Sequence, residues 1–200
     1  MKNLTVPVLA LIIVCSSCQK TVSTTPEENT AITSSHGKET AKARYYRDSF
    51  TTQYQFIPGA GWEFPNPGPG YYPGKGIGYA SHIIGTATTY FNSYVEGPPF
   101  FLSGPSSVNL FFRRKLESYG VPDAANSVVV DEKGNSIWFA ATSLVQYPVS
   151  DTRINFEGTA DIIGGSGKFS NASGSVTLNG YFNPIDPTDA GIGSKGTIVY

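Results

Sequence analysis

Residues 154–182 read INFEGTADIIGGSGKFSNASGSVTLNGYF. Ile154, Phe156, Gly158, Ala160 and Ile162 alternate with Asn155, Glu157, Thr159 and Asp161. A period of two turns the first set toward a core and the second toward water. Val176, Leu178, Gly180 and Phe182 repeat the pattern against Ser175, Thr177, Asn179 and Tyr181. Between these runs, the glycine-rich stretch Gly164 to Gly174 suits a turn with a bulge. Two half-wet strands joined by a tight turn form an antiparallel pair, the building unit of an all-β domain.

Other segments extend that reading on both sides. Val128–Asp131 and Ser136–Ala141 flank Glu132-Lys133-Gly134-Asn135, a hairpin with Gly134 at a position of positive φ. Gly76–Phe91 reads as one long strand whose small residues Gly78, Ala80, Gly85 and Ala87 suit a sharp barrel bend. Thr197–Tyr200 reads as a closing strand. Val108, Phe111, Phe112, Leu116 and Tyr119 instead fall at helical spacing. Ser106 or Ser107 can cap that helix, and Gly120 followed by Pro122 can end it. Its cations Arg113, Arg114 and Lys115 lie where the helix dipole favours them and read as a solvated face. Residues 58–74, PGAGWEFPNPGPGYYPG, are too rich in Pro and Gly for a helix or a central strand. They read as a long loop whose rings Trp62, Phe64, Tyr71 and Tyr72 pack onto the domain; a lid over a cavity is the alternative.

Composition agrees with an extracytoplasmic all-β domain. The 200 residues include 22 Gly and 14 Pro, and only 14% are charged. The 12 Tyr, 12 Phe and 2 Trp all fall in residues 45–200 and exclude a disordered chain there. A net charge of -1 removes the electrostatic case for a nucleic-acid partner.

The N-terminus supplies an address. Residues 1–18 read MKNLTVPVLALIIVCSSC, a lysine followed by an apolar run too short to span a bilayer. Ser16 and Ser17 precede Cys18, and this junction resembles the lipobox of bacterial lipoproteins, whose cysteine carries the lipid. Cys15 fits less well because bulky Val14 precedes it. Residues 1–17 thus read as a signal peptide and Cys18 as the lipid attachment site. Gln19, in place of Asp, favours the outer membrane as the anchored surface. Residues 19–44 contain no aromatic side chain and cannot bury enough apolar surface to offset chain entropy. Residues 18–44 therefore read as a lipidated N-terminus and disordered tether, and 45–200 as the barrel domain.

Several chemistries lack their residues. The domain has one histidine, His82, and no cysteine, so a zinc site with nitrogen and sulfur ligands is excluded. Asp131 and Glu132 fall in a turn, Glu157 and Asp161 on an outward face, and no pair is set in opposition for glycosidase chemistry. Asp186-Pro-Thr-Asp189 lacks the glycine and distal glutamate of a calcium loop. Gly191-Ile-Gly-Ser-Lys-Gly196 copies the dinucleotide glycine pattern with no room for the helix that must follow. Gly167-Lys168 copies a phosphate loop whose other positions hold Ile162 and Phe169. No cofactor is expected. His82 remains, sharing a strand face with Ala80, Ile84 and Thr86, with Ser81 on the opposite face. It either satisfies a buried backbone group or points at a ligand.

Two stretches carry a resemblance. Gly78-Tyr-Ala-Ser-His-Ile-Ile-Gly85 resembles the G-x-A-T-H-x-G strand of small bacterial secreted β-barrel proteins. Gly164-Gly-Ser-Gly-Lys-Phe169 with Asn171-Ala-Ser-Gly174 resembles their G-G-T-G-R-F and A-x-G turn. Ser81, Ser166 and Lys168 depart from that pattern. Those proteins are similar in outline to allene oxide cyclase and dirigent barrels. The resemblance implies a small antiparallel β-barrel of about seven or eight strands, with the helix near 107–119 as an insertion. Three functions follow as expectations: a module binding a small apolar or aromatic ligand, a structural or surface-interaction lipoprotein with a filled barrel, and, by resemblance only, a cyclase- or isomerase-like enzyme. A membrane-spanning barrel fits less well, because strands of about 9–11 residues with a lipid-facing side are too few.

Overall fold

The structure, a computed structural model, describes residues 41–59, 69–96 and 103–200. The stretch expected to be a signal peptide, the expected lipid attachment site Cys18 and most of the segment expected as a tether lie outside the described residues. In chain order the elements are β1 (Ala43–Tyr54), β2 (Ile57–Pro58), β3 (Gly70–Tyr71), β4 (Gly74–Ala80), β5 (Ala87–Phe91), β6 (Ser93–Val95) and β7 (Ser103–Pro105). Then come α1 (Asn109–Leu116), β8 (Ser127–Val130), β9 (Ser136–Ser150), β10 (Arg153–Ser166), β11 (Ser173–Phe182) and β12 (Ala190–Val199).

Eight strands close an antiparallel barrel in the order β1-β12-β11-β10-β9-β8-β5-β4. Strand β1 completes it, pairing with β12 from Ala43↔Val199 to Thr52↔Ala190 and with β4 from Asp48↔Ala80 to Tyr54↔Gly74. The pair legible in the sequence is present in register, Ile154↔Phe182 to Ile162↔Gly174. The bulge expected within Gly164–Gly174 falls just before it: β10 shifts register against β9 between Ile162 and Gly164, leaving Ile163 unpaired. The second hairpin turns at Gly134, whose φ is 86°. Asp131 secures that turn by accepting the backbone N–H groups of Lys133 and Asn135.

The all-β barrel with one short helix stands as expected, with three differences of detail. Gly76–Phe91 is two strands rather than one, and the turn between them holds His82 at φ 68° and Gly85 at φ 89°. Both residues occupy the left-handed region, which reverses the chain without proline or an Asn-Gly pair. Helix α1 starts one residue past Val108, and Ser107 Oγ accepts the Asn109 N–H at 3.2 Å. Pro58, Gly70 and Tyr71, within the stretch expected as loop, belong to short strands of a separate sheet in the order β2-β3-β6-β7, while Trp62 and Phe64 of that stretch lie outside the described residues. Pro58 lies on its edge strand, where a missing N–H costs no ladder bond.

Helix α1 covers the outside of the barrel. Val108, Leu116 and Ala125 cluster with Val128 and Val130, and Tyr90, Phe112 and Trp138 pack against them. Val129 points the other way, into the main core. Strand β8 is therefore apolar on both faces, which is why it reads Val-Val-Val rather than alternating. Elsewhere the outside is wet: Arg47, Lys75, Glu157, Asp161 and Lys195 are exposed. Charges at those positions disfavour a lipid-facing wall.

Candidate functional site

Alternation along β1 decides what enters the barrel. Tyr46, Asp48, Phe50 and Thr52 are buried, and Tyr45, Arg47, Ser49 and Thr51 are exposed. Opposite them, β4 presents Gly74, Gly76, Gly78 and Ala80 inward. These positions have no room for larger side chains: a Cβ on Gly74 would stand 2.2 Å from the Phe91 ring, and one on Gly78 2.0 Å from Ser49 O. The glycine strand leaves room for the rings of Phe50 and Phe91 to pack against it.

One end of the barrel is filled. Tyr46, Ile137, Phe169 and Ile198 are fully buried there, and Ile162, Ala172 and Ile83 join the same cluster. Phe169 is delivered by the turn after β10 and meets Tyr200 edge-on at 4.8 Å between ring centres. The His82 ring also meets Tyr200, at 5.8 Å between ring centres.

The opposite end is hollow. A cavity of about 190 Å³ lies between Thr52 and Tyr54 of β1, Tyr72, Phe91, Leu144 of β9, Phe156 of β10, Leu178 and Phe182 of β11 and Ile192 of β12. Its wall is an aromatic cluster: Tyr54 meets Tyr72 at 5.7 Å and Phe182 at 5.5 Å, and Tyr72 meets Phe56 at 5.1 Å. The Tyr54 hydroxyl donates to Asn183 O at 2.6 Å, and burial pushes its pKa up to about 12. With that hydroxyl tied to the backbone, its ring offers the cavity an apolar face. Asn92, also in the lining, donates Nδ2 to Ser106 Oγ and Ser107 O, while its buried Oδ1 has no partner.

A smaller inner cavity of about 40 Å³ shares Asn126, Ser127, Leu178 and Ile192 with the mouth. Asp48 lines it and is only 7% exposed. Its Oδ1 accepts the Ser194 N–H at 2.6 Å and its Oδ2 accepts the Tyr46 hydroxyl at 2.9 Å. Burial pushes its pKa up to about 6, against the opposing pull of hydrogen bonds from Ser194 and Tyr46. Burial, and then the Asp48 charge, push the Tyr46 hydroxyl up in turn. Among the described residues the recorded ion pair is Arg113–Asp123, outside the barrel, so no cation compensates Asp48.

The residues singled out in the sequence fall elsewhere. His82 is on a turn, not on a strand face with Ala80, Ile84 and Thr86. It sits at the filled end, with Nε2 2.8 Å from Tyr45 O, and is absent from the lining of both cavities. Ser81, in the same turn, accepts the Arg47 N–H through Oγ and donates its own N–H to Arg47 O. Lys168 Nζ donates to His82 O, so the two stretches that carry the family resemblance meet at the filled end. Asp186 and Asp189 are occupied in their own turn, bonding Thr188 and Asn183. Among the described residues no group of three or more His, Cys, Asp or Glu gathers as a metal site. Asp48 belongs to no sequence motif. Its alternation is legible, but Arg47 beside it is equally charged, so polarity does not tell which of the two faces inward.

The comparisons with known proteins are sparse. No family model matches the chain, and no curated protein matches it. A solved structure of a pterocarpan synthase dirigent protein is similar to it over 80% of this chain and 85% of its own, at 11% identity and a TM-score of 0.44. Likeness of that order carries no argument about function. The domain is a closed β-barrel filled at one end and hollow at the other. Among the described residues no helix is long and apolar enough to cross a membrane.

Proposed function

We propose that this chain is an outer-membrane lipoprotein, anchored through Cys18, whose barrel mouth binds a small, flat apolar or aromatic molecule. The observation that carries the binding half is the mouth cavity of about 190 Å³ walled by Tyr54, Tyr72, Phe156 and Phe182. Apolar cavities of ~150 Å³ hold a benzene ring in other proteins, so this volume accommodates one ring and a short tail. Aromatic walls with a few inward polar groups are the usual make-up of small-molecule sites. A barrel filled by its own side chains would need no such space, which weighs against the purely structural reading. A cyclase- or isomerase-like enzyme draws support from one observation, Asp48, whose pKa of about 6 suits proton transfer near neutrality.

The binding half is tested with 3-phenylpropan-1-ol, a ring on a neutral stem. Added to the full chain, it should perturb the NMR signals of Tyr54, Tyr72 and Phe182, and Ala141→Trp, which fills the mouth, should abolish the effect. No perturbation near saturation overturns the reading. The anchoring half is carried by the apolar run ending in Ser16-Ser17-Cys18 and is tested by fractionation. Cys18→Ser should move the exported protein from membranes to the soluble fraction. Retention after a high-salt wash would contradict the anchor.

A further inference from the structure

Asp48 is a carboxylate buried in a mainly apolar barrel with two neutral donors and no counter-ion among the described residues. A bare carboxylate in that setting is costly, and the ordinary remedies are a partner charge or protonation. The space beside it is small, about 40 Å³, close to the ~30 Å³ share of one water and so large enough for one ammonium group. Acceptors and ring faces suited to a cation surround that space. Ser194 Oγ is buried beside the Asp48 carboxylate and accepts from no donor, Phe50 and Phe139 line the space, and Tyr46 packs on Phe139 at 5.8 Å. Rings attract a cation positioned over their faces.

Resting on the binding reading above, we propose that the barrel's ligand is an organic cation: an arylalkyl amine whose ring occupies the mouth and whose ammonium pairs with Asp48. The strand register sets the length. Ile192, shared by both cavities, pairs with Phe50, and Ser194 pairs with Asp48, two residues further in. Two strand residues span ~7 Å, which a three-carbon stem and one hydrogen bond of about 2.8 Å cover. The ammonium then donates one N–H to Asp48 and a second to Ser194 Oγ. Tyr46 is the other titratable group facing the carboxylate. Thr89, Val129, Phe139, Ala160, Val176 and Ser194, which line the space from the other strands, do not titrate near neutral pH. Arg47 and Lys195 pair on the outside of the same wall.

The test compares 3-phenylpropylamine with 3-phenylpropan-1-ol by calorimetry on the full chain. At about pH 8 the amine should bind about tenfold more tightly than the alcohol. Between about pH 8 and pH 5 its affinity should fall about tenfold, because a proton competes for Asp48, while the alcohol's stays unchanged. Asp48→Asn should remove the amine's advantage and leave alcohol binding intact, and Ser194→Ala should reduce the advantage in part. Equal binding of the two probes at pH 8, or an amine preference that survives at pH 5, overturns the cation proposal and leaves the binding reading standing. Binding of neither probe overturns both.

Discussion

Around Phe169 the barrel is packed shut; around Phe182, on the neighbouring strand's far end, it stands open. At the first end Tyr46, Ile137, Phe169 and Ile198 are fully buried. At the second, Tyr54, Tyr72 and Phe182 lie around empty space and remain partly accessible. Both ends are aromatic, so composition does not separate them. The difference lies in what the turns deliver. The turn after β10 folds Phe169 inward, whereas the turn after β11 keeps Ile185 72% exposed and occupies Asn183, Asp186 and Asp189 with one another and with Thr188. A barrel of this strand number is just wide enough for its own side chains to fill. One inward ring is therefore enough to plug an end, and its lack is enough to leave a cavity.

The most forceful way to break that comparison is to unplug the filled end. Phe169→Ala should cost ~3–5 kcal/mol, the usual loss for a buried aromatic truncated in a core that cannot collapse. Phe182→Ala removes the same group from a wall that already borders a void and should cost ~1–2 kcal/mol, because its apolar burial is incomplete. Urea unfolding of the two variants checks the difference. Equal losses would mean that the mouth is as well packed as the plug.

A second test separates the ends by charge. The folded-state pKa of Asp48 is about 6, above its ordinary value of 3.8. The native state therefore binds this proton more tightly than the unfolded chain. The stability penalty of the charged form is fully present above pH 6 and is relieved as pH falls toward 4. The shift corresponds to about 3 kcal/mol at most. Asp123 and Asp186 have lowered values, so their contributions run the opposite way and are lost on acidification. Comparing wild type with Asp48→Asn isolates the one group: the variant should lead by about 2–3 kcal/mol near pH 8, and the lead should vanish near pH 4. A stability difference independent of pH would show that the carboxylate is not buried as described.

Legibility in the sequence followed burial geometry. Strands β10 and β11 were readable because one face is wet and the other dry, and β8 because both faces are dry. Strands β4 and β5 read as one because Ser81-His82-Ile83-Ile84 contains no Gly, Pro, Asn or Asp to mark a turn. The reversal there depends on left-handed backbone at His82 and Gly85, which leaves no Pro or Asn-Gly mark. The strands β2, β3, β6 and β7 have 2 or 3 residues each, too short for any period to register. The cavity was least legible of all. Its walls come from strands distant in sequence, and its one charged group is flanked by Arg47.

The gentlest probe is His82, the residue the sequence offered as a ligand contact. Its ring donates Nε2–H to Tyr45 O across 2.8 Å and lies edge-on to Tyr200. Tyr45 lies on β1 and Tyr200 directly follows β12, both at the filled end, and Lys168 binds the carbonyl of the same residue. The site is half-buried, so water replaces part of what the imidazole supplies, and the loss on removal should stay near ~1 kcal/mol. Alanine also gives up histidine's easier access to the left-handed region, whereas glycine takes that conformation freely. His82→Gly should thus separate the two contributions, keeping the turn and losing only the ring contacts. Neither variant should alter 3-phenylpropan-1-ol binding, since His82 and the mouth cavity share no lining residue. Weakened probe binding in His82→Gly, with the melting temperature unchanged, would mean that the two ends act as one site.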